Sequence, residues 1–140
     1  MRLRFALCTA AALSLSGALV VGAGIDLSSG SACAAQVNPP SVTFSEDVQP
    51  LIKFKCAACH LPGGEGYEKS GFDISSYETL MKGTKFGAVI VPGDADSSSL
   101  IRLLDWRVSK EIRMPHEKKQ LSICDRDLIR VWILQGAKNN

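Results

Sequence analysis

The stretch that most constrains this chain is Cys56-Ala57-Ala58-Cys59-His60, which places two thiols and one imidazole close together in the sequence. Cys-x-x-Cys-His is the spacing used to attach a c-type haem covalently. Each thiol can add to one vinyl group of the porphyrin to form a thioether, and the histidine can ligate the iron. The motif therefore predicts one haem c, held through two thioethers at Cys56 and Cys59 with His60 as an iron ligand, and favours a role in electron transfer.

The same residues would also suit half of a zinc site or a redox-active dithiol. A structural zinc site needs four ligands, usually from two clusters, and downstream of the motif the chain offers only His116 and Cys124. A thioredoxin-type dithiol belongs to a βαβ pattern, whereas the only strand-like run, Val89–Val91, is too short to build a sheet. The sequence favours haem attachment over both alternatives.

The first quarter of the chain has the pattern of a secretory signal peptide. A basic start, Met1–Arg4, precedes the uncharged segment Phe5–Ile25, and small residues follow at Ser31–Ala35. This order predicts a signal peptide over residues 1–35, cleaved after Ala34 or Ala35, and a periplasmic protein. Two alternatives are an uncleaved membrane anchor and a lipoprotein lipidated at Cys33, for which the preceding residues match poorly.

The remainder is predicted to be an extended tether over residues 36–43 and one domain over residues 44–138. Without Arg2, Arg4 and Asp26, the totals of 16 basic and 14 acidic residues leave this part nearly neutral. A nucleic-acid surface is therefore not expected. Cys8 and Cys33 are expected to be lost with the signal, and Cys124 to be a buried small hydrophobe.

Capping residues and apolar periodicity predict an all-α domain of about four to five short helices. The first is expected to begin at Ser45 and to run into the haem motif, followed by a flexible Gly-rich turn over Leu61–Gly71. Three further helices are predicted: one opened by the pattern Ser75-Ser76-Tyr77-Glu78 and closed by Gly83, one over Leu100–Leu104, and one from Ser122 to just before Gly136.

The second axial ligand of the iron is expected to be Met114. This methionine lies in a polar stretch and is followed by Pro115, which would stiffen its loop. Met81 lies at an apolar helix position where core packing is the ordinary role. His116 and an open site are the remaining alternatives. Trp106 could pack on the haem or donate to a propionate, and Arg102, Arg107 and Arg113 are possible propionate partners.

The chain resembles class I c-type cytochromes, and most closely the planctomycete-type cytochrome c domain. The segments that carry the resemblance are Phe44–Pro50, Lys55–His60, Gly71–Ser75, Val91–Asp94 with Ser98–Leu100, Arg113–Pro115, and Trp132-Ile133 with Gln135–Ala137. The resemblance implies a small all-α fold around a single haem c, His60 as proximal ligand, Met114 as distal ligand and a periplasmic setting. In this family the domain often belongs to larger proteins, so a chain made almost entirely of the domain is not expected to carry a fused catalytic role.

These observations lead to a primary hypothesis and two alternatives. The primary hypothesis is an exported mono-haem carrier of single electrons, not an enzyme, that acts as a monomer between periplasmic or membrane-bound redox proteins. The first alternative is a haem enzyme or gas-ligand sensor, such as a peroxidase-like protein, with an open or displaceable sixth position. The second is a small docking module whose haem is mainly structural. Contact with a membrane is expected only if the signal segment is retained.

Overall fold

The computed structural model describes residues 41–140, and the domain it shows is helical. A π-helical turn, Phe44–Val48, leads into α1 (Gln49–His60), and the other α-helices are α2 (Glu65–Ser70), α3 (Tyr77–Lys82), α4 (Ser99–Leu104) and α5 (Ile123–Leu134). A 3-10 turn, Lys110–Ile112, lies between α4 and α5. Residues 41–140 contain isolated bridges but no strands, so the predicted all-α fold is confirmed. The predicted signal peptide and most of the predicted tether lie outside the described residues.

The helical segment that carries the haem motif begins slightly earlier than predicted. Thr43, not Ser45, caps it: the Thr43 hydroxyl accepts the Glu46 N–H at 3.3 Å. Thr43 also donates its N–H (2.8 Å) and its hydroxyl (3.1 Å) to the Asp47 carboxylate. This reciprocal bonding satisfies backbone N–H groups that have no partner within the first turn of the helix. The wide first turn then continues into α1 without a break.

The segment Leu61–Gly71, predicted to be a flexible turn, contains α2. Gly71 ends this helix with φ +71° and donates its N–H to the Tyr67 carbonyl at 2.6 Å. This is the left-handed termination for which glycine is the usual residue. The glycines of the segment therefore serve a defined structure, and the prediction of a flexible turn was wrong.

Helices α3 and α4 follow the predicted pattern with small shifts. Ser76, one residue later than expected, forms a capping box with Thr79, and Gly83 closes α3 as predicted. Ser98 precedes α4 and is fully buried. Its hydroxyl accepts the Val91 N–H (2.9 Å) and donates to the Asp94 carbonyl (2.7 Å), which fixes the preceding turn against α4.

The core is centred on α5, whose residue Trp132 is only 1 % exposed. The Trp132 ring lies 5.6 Å from the ring of Phe44 and 6.5 Å from that of Tyr77. Trp132 is thus a core residue, and it packs on the π-helical turn that precedes α1. The end of the chain closes over the same region, because the Asn140 side chain accepts the Phe44 N–H at 3.0 Å.

Cys124 differs from its prediction. It lies in the first turn of α5, is exposed, and is disulfide-bonded. The expectation of a buried thiol that acts as a small hydrophobe was wrong, because the buried face of α5 begins only at Ile129.

None of the helices within residues 41–140 has the length and apolar character needed to cross a lipid bilayer.

Candidate haem c site

The last turns of α1 carry the three residues of the predicted haem motif. Cys56, Cys59 and His60 stand at helical spacings of three and four residues and so share one face of α1. Both cysteines are free thiols: Cys56 is half-buried and packs against the core, whereas Cys59 is exposed. Helix α1 therefore presents one inner and one outer thiol beside the histidine.

The Cys56 thiol is held in its protonated form. Burial and the nearby Cys59 raise its pKa to about 11, against a smaller opposing effect of Lys55. Redox-active Cys-x-x-Cys motifs depend on a lowered thiol pKa, since the thiolate is the reactive form. The Cys56 environment therefore disfavours a thiol–disulfide exchange site.

His60 has the environment of a neutral histidine. Burial lowers the pKa of the imidazole, while a weaker interaction with the backbone of Phe72 acts in the opposite direction. The Phe72 ring meets the imidazole edge-on at 5.3 Å. Within residues 41–140, the buried Nδ1 of His60 makes no hydrogen bond of ordinary geometry. Neutral imidazole is the form that ligates metals, so His60 is suited to bind iron.

Two glycines of the α1–α2 connection pack directly on the motif. A Cβ at Gly64 would lie 2.6 Å from the Cys59 carbonyl oxygen, and a Cβ at Gly66 would lie 2.7 Å from Cε1 of His60. Any larger residue would displace these neighbours or the loop. The sequence did not predict this role, although two glycines so close to the motif indicate a close approach of the backbone.

Met114 lies in the loop between α4 and α5 and is half-buried against the core. Its N–H donates to the Leu103 carbonyl (3.2 Å), and its carbonyl accepts the indole N–H of Trp106 (2.9 Å). His116, the competing ligand, is exposed. Met81 is half-buried on α3 and packs against the core, in keeping with the predicted packing role.

The Met114 loop faces the helix that follows His60. His116 is near enough to Glu65 on α2 for its charge to help lower the pKa of that carboxyl, although the hydrogen bond and charge of Lys69 have the larger effect. The pKa of Lys69 is raised mainly by Glu65, with a smaller contribution from Glu117. The loop of the predicted distal ligand and the helix beside the predicted proximal ligand are therefore neighbours.

A cavity of about 600 Å³ lies along this loop. It is lined by Trp106, Lys110, Glu111, Arg113, Pro115, His116, Glu117 and Lys118. Among the described residues, the Cys56–His60 motif contributes none of this lining. The cavity lining mixes basic side chains with two carboxylates, those of Glu111 and Glu117.

Three of the four other residues considered as haem contacts have protein partners. The Trp106 indole N–H is used by the Met114 carbonyl. The Arg107 side chain reaches Asp96 (3.4 Å) and Asp105 (3.5 Å). Arg113 lies over the Trp106 ring at 5.3 Å and donates Nε–H to the Val108 carbonyl at 3.3 Å. Arg102 is exposed.

The helical fold, the two free thiols and a neutral histidine on one face of α1 define a domain of the c-type cytochrome class. The residues present fit a haem c, because the donor set includes two thiols for the vinyl groups and a buried imidazole with an unsatisfied nitrogen. Residues 56–117 match the family model described as planctomycete cytochrome C. The predicted resemblance is confirmed, and haem c is the cofactor that the family implies. No curated protein and no solved structure matches the chain.

Proposed function

We propose that this protein is an exported mono-haem cytochrome c that carries single electrons between periplasmic or membrane-bound redox partners. Cys56 and Cys59 hold the haem through two thioethers, the hydrogen of each thiol passing to the vinyl group to which its sulfur adds. His60 and Met114 would be the protein ligands of its iron. When bound, haem c supplies an iron that changes its oxidation state by one electron.

The observation that carries the proposal is the placement of Met114. It is half-buried, both of its backbone polar groups are bonded, and His116 and Glu117, which follow it, lie within the range of charge interactions with α2. A thioether opposite an imidazole favours ferrous iron and raises the reduction potential. Two protein ligands would also leave no open position for oxygen or peroxide, which supports a carrier over a catalyst.

Export is supported by the N-terminal sequence. Residues 1–35 have the order of a secretory signal. The nearly neutral domain is proposed to act as a monomer. Its partners are proposed to be redox proteins, since it lacks the strongly basic charge of a nucleic-acid-binding domain.

The ligand assignment is tested with two matched methionine variants. We expect Met114→Ala to remove the charge-transfer band between sulfur and ferric iron and to let carbon monoxide bind the ferrous protein readily. Met81→Ala, which truncates a half-buried methionine on α3, should keep the band. Loss of the band in Met81→Ala, or its retention in Met114→Ala, would contradict the assignment. Ready binding of carbon monoxide to the unmodified protein would instead favour the haem enzyme or gas-ligand sensor.

A further inference from the structure

Trp106 occupies a backbone position at which glycine is the usual residue. It follows the C-terminus of α4 with φ +59°. The Arg107 N–H donates to the Arg102 carbonyl (2.9 Å) and the Trp106 N–H to the Leu103 carbonyl (3.3 Å), which is the Schellman pattern of helix termination. A large aromatic residue in the left-handed region carries a backbone cost. Such a violation of a local preference indicates that the side chain has a specific role.

The role is visible in the contacts of the indole ring. Trp106 Nε1–H donates to the Met114 carbonyl at 2.9 Å, while the Met114 N–H donates to Leu103 in the last turn of α4. The Arg113 guanidinium lies 5.3 Å from the centre of the Trp106 ring, on its face. The backbone of Met114 is thus held on both sides by α4 and its terminating turn.

The residue before Trp106 fixes that turn to α5. The Asp105 carboxylate accepts hydrogen bonds from Arg126 (2.7 Å) and Arg130 (2.5 Å), and its side chain is only 12 % exposed. Trp106 therefore projects from a rigid part of the fold, so its hydrogen bond can restrict where the Met114 loop lies.

We infer that Trp106 is a positioning residue for Met114, whose indole hydrogen bond keeps the methionine where its sulfur can ligate the iron. This rests on the proposed ligation by Met114. Without this hydrogen bond the Met114 loop would leave the position described here more often. An added ligand would then compete more successfully for the iron. The free energy of one hydrogen bond corresponds to a change of about fivefold in that competition.

The test is a titration of the ferric holoprotein with imidazole, together with the sulfur–iron charge-transfer band and the reduction potential. Trp106→Phe removes the N–H donor but keeps an aromatic ring under Arg113. The matched control is Trp132→Phe, because Trp132 also donates its indole N–H to a backbone carbonyl, that of Lys138 at 2.9 Å, in the core. Thermal unfolding is measured for both variants.

We expect Trp106→Phe to bind imidazole about fivefold more tightly than the unmodified protein, with a weaker charge-transfer band and a lower potential. Trp132→Phe should lower the unfolding temperature and leave the imidazole affinity unchanged. An unchanged affinity in Trp106→Phe, or an equal increase in both variants, overturns the inference while the ligation by Met114 stands. Absence of the band from the unmodified protein overturns the ligation itself, and the role of Trp106 with it.

Discussion

Gly66 and His60 are in such close contact that a Cβ at residue 66 would lie 2.7 Å from Cε1 of the imidazole and 3.0 Å from its Nδ1. The first turn of α2 thus packs against one side of the His60 imidazole. The short connection after the haem motif is therefore part of the candidate site, because it sets the orientation of the imidazole.

This contact predicts whether a substitution at Gly66 raises or lowers the free energy of unfolding. Glycine to alanine inside a helix ordinarily stabilises by about 0.5–1 kcal/mol. Gly66→Ala should instead destabilise by about 1–2 kcal/mol, since the added methyl group overpacks against His60, and should alter the haem absorption spectrum. Denaturant unfolding and the spectrum measure the two effects.

Gly87→Ala is the control for backbone strain alone, because Gly87 has φ +120° and open space around its Cβ position. It should lower stability and leave the haem spectrum as it is. A stabilised Gly66→Ala protein with an unchanged spectrum would show that α2 does not constrain His60.

A second prediction concerns Asp105, which joins α4 to α5 through Arg126 and Arg130. Asp105→Asn should reduce the free energy of unfolding by about 2 kcal/mol, because two arginines lose a largely buried carboxylate. Asp96→Asn is the control: Asp96 contacts Arg107 and Arg130, but its side chain is 83 % exposed. Its effect should stay below about 0.5 kcal/mol. Equal losses in the two variants, measured by denaturant unfolding, would contradict a special role for Asp105.

The same carboxylate predicts a component of acid sensitivity. Burial raises the pKa of Asp105, but the hydrogen bonds and charges of Arg130 and Arg126 outweigh it and hold the pKa below its usual value. A lowered folded-state pKa adds stability above the unfolded-state value of about 3.9, and that stability is lost as the pH falls through the folded-state value. The difference in unfolding free energy between the unmodified protein and Asp105→Asn should therefore shrink as the pH falls below the unfolded-state value of about 3.9. A difference that stays constant as the pH falls would contradict the prediction.

The sequence predicts a structural feature of this fold well when the residues that form it are close together in the chain. Ser122 caps α5 and Gly83 closes α3 as expected, because a cap bonds to groups only a few residues away. Helix α2 was missed because a six-residue polar segment has no apolar periodicity, and its close contacts with α1 depend on tertiary structure. The prediction for Cys124 was wrong because the sequence of one cysteine's surroundings does not show whether another cysteine lies near it in the fold.

The candidate site divides in the same way. The spacing of Cys56, Cys59 and His60 is a property of neighbouring residues and could be recognised directly. The bond from Trp106 to Met114 requires a left-handed backbone at a tryptophan, which sequence preferences argue against. The identity of the site was therefore predictable from the sequence, whereas the contacts that hold its residues in place were not.

The most direct measurement is the intact mass of the exported protein after acid–acetone extraction, which removes haem that is not covalently bound. The predicted result is the mass of the processed chain plus one haem, with no haem mass on a Cys56→Ser, Cys59→Ser variant. An exported protein whose mass equals that of the bare polypeptide would contradict covalent attachment at Cys56 and Cys59, and with it the proposed electron carrier.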